Sequence, residues 1–233
     1  MVRVLSAMAI ILACGSAASV PAAGEELATL NLGENASYWG PVFIHYVPAL
    51  TTIINTALPN ESGVGEIRVA KLRLSARSAD TLIVDYTEGA SADPGFIISL
   101  IEKCGPRRLG WPIDGLDLEA PGDGYLYIRG HTNTWFDMRR KFAVEGGNLR
   151  ELTQPFYYVG LETKTLRQIN IFSTWGGGQP IGVIEKGAPV TVILSDGWTF
   201  LLKTDHDILG WWRPQNMSQQ RAEEIEGLFY RGD

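Results

Sequence analysis

The sequence predicts a mainly β protein with a β-rich N-terminal part, a small barrel near the C-terminus and a short terminal helix. Apolar and polar residues alternate over short segments between Ile67 and Tyr86, as they do in half-buried strands. Turn-forming clusters such as Pro121-Gly122-Asp123-Gly124 separate these segments. In residues 169–212, short strands follow one another and carry large aromatic residues, which fill the interior of a small barrel.

The N-terminus has the pattern of a secretory signal peptide. Arg3 is the only charged residue before Glu25, and an apolar run at residues 4–13 leads into a stretch of small residues. The apolar run is shorter than the roughly 20 residues that a membrane-spanning helix needs. We therefore expect residues 1–23 to be removed and the mature protein to be periplasmic or secreted.

Cys14 leaves a second processing route open. The sequence Ile11-Leu12-Ala13-Cys14 resembles a bacterial lipobox, in which the cysteine is lipidated and anchors the protein on a membrane. Either route leaves Cys104 as the only other cysteine, so we expect no disulfide. The mature chain of about 210 residues must then be stabilised by its hydrophobic core.

The charge of the chain argues against two classes of partner. The formal net charge is −6 at pH 7, whereas a nucleic-acid-binding protein shows a basic patch. An acidic protein is also not attracted electrostatically to anionic lipid. No segment after the signal peptide is apolar enough to predict a transmembrane helix.

Residues 25–160 are predicted to form a β-rich domain of unassigned family. Between Pro48 and Pro59, apolar residues recur with the spacing of an amphipathic helix, but β-branched residues leave a strand as the alternative. The alternation shifts phase within residues 67–74, which predicts a β-bulge near Ala70. Further strands are expected at residues 82–86, 96–101, 125–128, 141–144, 149–152 and 156–159.

The C-terminal unit, residues 165–215, carries a more specific pattern. It opens with Ile169-Asn170-Ile171, continues through Lys186-Gly187 into the alternating residues 190–193, and closes with Gly210-Trp211-Trp212. In this order and spacing, residues 168–214 resemble the bacterial SH3-like domain family. Phe172 stands where family members often carry an arginine, and the following loop is rich in glycine.

The resemblance implies an SH3-like barrel that binds cell-wall peptides or other envelope proteins. The best aromatic candidates for a binding surface are Trp175 and Trp212, because Trp198 and Trp211 occupy positions expected to be in the core. After the barrel, residues 216–233 are expected to form a helical tail that packs back onto the body, with Ile225 among the residues on its apolar face.

A polar cluster at residues 129–141 provides the other candidate site. It contains Arg129, His131, Asn133 and Asp137 and follows a predicted strand, where binding groups often collect. His131 and Asp137 have the chemistry of an acid–base pair. The alternative is a structured turn whose polar side chains bond to nearby backbone.

No motif in the sequence predicts an enzyme, a metal site or a cofactor. Cys104 lacks the sequence context of a cysteine peptidase nucleophile and is expected to be a lone buried or semi-buried thiol. The three histidines are far apart in the chain and have no metal-ligand spacing. We therefore expect an exported bacterial binding protein for cell-wall peptide, glycan or an envelope protein. The alternatives are a periplasmic inhibitor of a wall-degrading enzyme and a hydrolase with its site near His131 and Asp137.

Overall fold

The protein is described by a computed structural model over residues 26–33, 37–59, 65–89, 92–215, 217–218 and 221–230. The signal peptide predicted at residues 1–23 and the lipidation site predicted at Cys14 lie outside the described residues. Within the described ranges the protein is mainly β, as predicted, with three six-stranded sheets and a two-stranded one.

The strands follow one another through the whole described chain, with a 3₁₀ turn at Pro48–Leu50. The first group is β1 (Ala28–Asn31), β2 (Phe43–Tyr46), β3 (Thr51–Leu58), β4 (Glu66–Leu72), β5 (Leu82–Thr87), β6 (Gly95–Glu102), β7 (Gly105–Arg108), β8 (Ile113–Asp114), β9 (Asp117–Ala120), β10 (Leu126–Arg129), β11 (Arg140–Glu145) and β12 (Asn148–Glu151). The second group is β13 (Tyr157–Lys164), β14 (Ile169–Thr174), β15 (Gly177–Ile184), β16 (Pro189–Ser195), β17 (Phe200–Thr204), β18 (Leu209–Trp212), β19 (Met217–Ser218) and β20 (Arg221–Ala222).

The first twelve strands form two sheets that share one core. One sheet has the order β1-β2-β9-β10-β11-β12, in which only β2 and β9 run parallel, and the other has the order β3-β4-β5-β6-β7 with β8 beside β6. Buried apolar residues from both sheets form a single cluster that includes Ile44, Val84, Phe96 and Leu126. This arrangement is a β-sandwich, in which each sheet buries the apolar face of the other.

Local features of the sandwich follow the sequence pattern closely. The pairing of β4 with β5 shifts register between Arg68 and Ala70, which confirms the predicted bulge. Gly122 and Gly124 have positive φ in the turn between β9 and β10, a conformation that glycine adopts without steric cost. Residues 51–58 form strand β3 and not a helix, because their consecutive β-branched side chains fit a pleated sheet better.

The C-terminal sheet has the order β13-β16-β17-β18-β14-β15 and a core of its own. Its inward-facing residues include Ile171, Val192, Phe200 and Trp212. Since β13 already belongs to this sheet, the chain changes sheet between β12 and β13.

The C-terminal sheet does not close into the predicted barrel. β13 and β15 are its two edges, and the pairing order of the described strands does not join them. β15 shifts register twice against β14, and its Pro180 has no backbone N–H to donate to a neighbouring strand. The bulged, proline-containing β15 is therefore poorly suited to complete a closed ring of strands.

The tail after β18 contains no helix in its described part, so the predicted C-terminal helix is wrong. Met217–Ser218 pairs with Arg221–Ala222, and Ile225 forms a bridge to Thr165. The tail packs back onto the body through Ile225 and Leu228, which are buried in the C-terminal core. The backbone of the tail bonds to the end of β13 and the residues after it: the Leu166 N–H donates to Glu224 O, and the Glu226 N–H donates to Lys164 O. These groups are therefore not used in the i to i+4 hydrogen bonds of an α-helix.

The loop between β10 and β11 joins the two cores. It leaves the sandwich at Arg129, yet Phe136 is buried in the C-terminal core with its ring 6.2 Å from that of Phe200. Trp135 and Met138 pack against the same core. No described helix has the length and apolar character needed to cross a membrane.

Candidate functional site

A cleft of about 660 Å³ opens at one end of the C-terminal sheet, and we call it the tryptophan cleft. Trp175 lies in the turn between β14 and β15, Trp198 in the loop between β16 and β17, and Trp211 in β18. The cleft is completed by Phe172, Gly176, Gly177, Asp196, Thr199, Trp212, Arg213, Pro214 and Gln215. Three separate segments of the chain therefore bring their indoles to one surface.

Two of these tryptophans expose a large part of their surface. Trp175 is 52% exposed and Trp198 is 59% exposed. Large aromatic side chains normally gain stability by burial, so an exposed cluster of them commonly marks a contact surface. Both are held by loops of the same sheet, and the buried strands β14, β16 and β17 position them.

Asp196 bonds to both exposed tryptophans, to the indole of Trp175 and to the backbone of Trp198. Its Oδ2 accepts the indole N–H of Trp175 at 3.0 Å. Its Oδ1 accepts the backbone N–H of Trp198 at 2.9 Å and of Thr199 at 2.7 Å. A single carboxylate thus orients one tryptophan side chain and the loop that carries the other. The Trp175 ring, fixed in this way, loses little conformational freedom when a ligand binds.

The structure places the predicted aromatic residues in different environments. Trp175 is exposed and lines the cleft, and its role in binding stays a prediction. Trp212 is only 3% exposed, because it packs into the core with its ring 5.7 Å from that of Phe200. The prediction that Trp198 is a core residue is wrong, since it precedes β17 in a loop and Phe200 fills the core position.

A second pocket of about 300 Å³ contains three of the polar residues predicted from sequence, and we call it the arginine pocket. Its polar groups are Asp117, Arg129, His131 and Asp137, and its apolar walls include Trp39, Phe43, Phe229 and Tyr230. Since Phe229 and Tyr230 belong to the C-terminal tail, the pocket lies where the tail meets the sandwich. Asn133 is exposed with φ +54° and does not line the pocket.

Arg129 is held between two carboxylates in this pocket. Its Nε and Nη2 donate to Asp117 Oδ2 at 2.8 Å and 2.7 Å, and its Nη1 lies 3.7 Å from Asp137 Oδ2. Burial lowers the pKa of Arg129, but the hydrogen bond and charge of Asp117 raise it above its ordinary value. The guanidinium therefore stays charged, with much of its hydrogen-bonding capacity used inside the protein.

His131 and Asp137 do not form the acid–base pair considered from sequence. The buried His131 has its Nε2 3.3 Å from Asp93 Oδ1, and its ring lies 4.6 Å from that of Trp39. Asp137 Oδ1 instead accepts the backbone N–H of Gly130 at 2.8 Å. Asp137 thus bonds to nearby backbone, as the alternative interpretation of this segment as a structured turn expects.

A polar chain on the outer face of the sandwich was not evident from sequence. Thr29 Oγ1 lies 2.9 Å from His45 Nδ1, and His45 Nε2 lies 3.3 Å from Asp117 Oδ1. Thr29 is directly opposite His45 in the β1–β2 register, a relationship that exists only after the strands have paired. The Asp117 carboxylate is shared with Arg129, so this chain continues into the arginine pocket.

Cys104 lies in the turn between β6 and β7 and is exposed, so the prediction of a buried or semi-buried thiol is wrong. Among the described side chains, no group of three His, Cys, Asp or Glu residues is arranged to hold a metal ion. Comparison of the chain with protein-family models, with curated proteins and with solved structures found no match.

Proposed function

We propose that the protein is an exported bacterial envelope protein that binds a cell-wall peptide or glycan in the tryptophan cleft. The observation that carries this proposal is the hydrogen bonding of Asp196, which fixes Trp175 and the Trp198 loop while both indoles remain exposed. Tryptophans that served only packing would not need to be fixed in an exposed position.

The dimensions and chemistry of the cleft suit an extended ligand better than a small buried one. The cleft is open, and its indole faces offer flat apolar surfaces on which a sugar ring or an apolar peptide side chain can stack. Arg213 and the backbone of Gly176 and Gly177 supply polar contacts at its border. Aromatic side chains of this kind often contribute most of the binding energy of a contact surface.

Two sequence features support the envelope as the place of action. The N-terminal pattern predicts a signal peptide, and residues 168–214 resemble the bacterial SH3-like family, whose members commonly bind wall components. In this proposal, the tryptophan cleft is the ligand surface of the SH3-like unit. The sandwich then serves as a second unit that shares the β10–β11 loop with it through Phe136.

Co-sedimentation with isolated cell-wall sacculi tests the proposal. The purified mature protein should pellet with sacculi at moderate salt, and Trp198→Ala should stay in the supernatant while remaining folded. Trp111→Ala is the matched control, because Trp111 is 92% exposed and lies outside the cleft. Trp212→Ala is a poor probe, since its loss opens a cavity in the core.

If the wild-type protein stays in the supernatant, wall binding is contradicted. Inhibition of a wall-degrading enzyme is then the next function to test, because an acidic protein associates faster with a basic enzyme. If Trp111→Ala loses binding as completely as Trp198→Ala, the tryptophan cleft is not the site.

A further inference from the structure

Among the described residues, Arg213 is the one positively charged residue that lines the tryptophan cleft. It follows β18 directly, next to Trp211 and Trp212, and its side chain is exposed. Several other arginines have acidic partners, such as Asp117 for Arg129 and Glu223 for Arg167. Within the described part of the chain, no carboxylate lies within 4.0 Å of the Arg213 guanidinium.

The acidic group of the same cleft is already used within the protein. Asp196 accepts three N–H groups, from the Trp175 indole and from the backbone of Trp198 and Thr199. A carboxylate with three donors has little need of a cation from a ligand. Of the two charged side chains in the cleft, Arg213 is therefore the one that is available to a ligand.

We infer that the ligand of the tryptophan cleft is acidic, and that a carboxylate of the peptide or glycan binds to Arg213 while a neighbouring ring or apolar group stacks on Trp198. This inference rests on the proposed function. A guanidinium binds a carboxylate through two parallel hydrogen bonds, which fixes the orientation of the ligand. The adjacent indoles remove water from one side of this ion pair and strengthen it.

The net negative charge of the protein makes a preference for an acidic ligand unexpected unless a local positive charge provides it. With a net charge of −6, the chain repels anions at long range, so a preference for an acidic ligand must come from a local cation. Arg213 is that cation. Added salt should weaken the preference, because the ion pair lies at an exposed border of the cleft.

Calorimetric titration with wall fragments tests the inference. The probes are soluble fragments released from sacculi by a muramidase, used as released and after their carboxylates have been converted to amides with carbodiimide. We expect the wild-type protein to bind the untreated fragments roughly tenfold or more tightly than the amidated ones. Arg213→Gln should bind both equally, and Arg213→Lys should keep part of the preference. Arg150→Gln is the control, since Arg150 is exposed and lies on β12 of the sandwich.

The possible results separate the inference from the proposed function. Equal binding of both fragments by the wild-type protein overturns the inference and leaves the tryptophan cleft as a wall-binding site. A preference that survives in Arg213→Gln also overturns it, because another group must then bind the carboxylate. If neither fragment binds, the proposed function and the inference both fail.

Discussion

The indole N–H of Trp175 donates to the Asp196 carboxylate at 3.0 Å, which joins the β14–β15 turn to the β16–β17 loop. These segments are 21 residues apart in the chain. The second oxygen of the same carboxylate caps the backbone at Trp198. One acidic side chain therefore orients the Trp175 ring and fixes the backbone of the loop that carries the exposed Trp198.

Replacing Asp196 should weaken ligand binding more than it weakens the fold. Asp196→Asn leaves one oxygen acceptor and replaces the other by an N–H donor, so either the indole or the Trp198 loop loses its partner. We expect affinity for wall fragments to fall roughly tenfold, measured by tryptophan fluorescence titration. Asp207→Asn is the control, because Asp207 pairs with Lys203 outside the cleft. Unchanged affinity in Asp196→Asn would show that the rings do not need this anchor.

The Gly-Trp step in β18 should tolerate no side chain at Gly210. A Cβ at Gly210 would lie 2.6 Å from Ile171 Cβ, because β18 is paired with β14 in the same sheet and approaches it closely at this point. Gly210→Ala should lower the free energy of unfolding by about 1–3 kcal/mol, measured by urea denaturation. Gly176→Ala should have little effect, since a Cβ there meets no atom within 4 Å and its φ is not positive. Equal stability of the two variants would contradict the close approach of Gly210 in β18 to Ile171 in β14.

Phe136 should stabilise the C-terminal sheet although it belongs to a loop of the sandwich. Its ring is buried against Phe200, so Phe136→Ala removes a large apolar group from the C-terminal core. We expect a loss of about 3–5 kcal/mol in the free energy of unfolding. Urea denaturation monitored by tryptophan fluorescence measures it, with the exposed Trp111→Ala as the control. A loss no larger than the control would mean that this loop does not join the two cores.

Stability should fall at alkaline pH through Tyr86. Burial, and to a smaller extent the charge of Glu88, raises the pKa of Tyr86 from 10.0 to about 12. Above pH 10, Tyr86 loses its proton more readily in the unfolded chain than in the folded protein. The folded state is therefore fully stabilised by the neutral phenol below pH 10 and loses this stability as the pH rises toward 12. Between pH 10 and pH 12, the free energy of unfolding of Tyr86→Phe should therefore fall by about 2–3 kcal/mol less than that of the wild-type protein. Urea denaturation at successive pH values measures both. Parallel pH curves for the two proteins would contradict this.

Much of the sandwich could be predicted from sequence because its strands carry strong local patterns. The phase shift at Ala70 predicted a bulge, and the Pro121–Gly124 turn predicted the β9–β10 connection. Residues 48–59 were ambiguous, because their apolar spacing fits a helix while their β-branched side chains favour the observed strand. The pairing of strands far apart in the chain, such as β2 with β9, has no local signal.

The candidate site was harder to predict because it depends on which face each tryptophan occupies. Trp211 and Trp212 are neighbours in β18, so one must face the core and the other the surface, and the sequence does not say which. Trp198 follows a turn, and a shift of one residue in where the next strand begins moves every side chain of that strand to the opposite face of the sheet. The apolar spacing of Ile225 and Leu228 resembled a helix, but both residues are buried by a tail that bonds to another part of the chain.

The most direct test of ligand binding in the tryptophan cleft is a nuclear magnetic resonance titration of the seven indole N–H signals. Muramidase-released wall fragments are added to ¹⁵N-labelled protein, and the signals are assigned by single tryptophan substitutions. We predict that the signals of Trp175, Trp198 and Trp211 shift together with added fragments, while that of Trp111 stays in place. Shifts confined to tryptophans outside the cleft, or no shifts at saturating fragment concentration, would contradict this account.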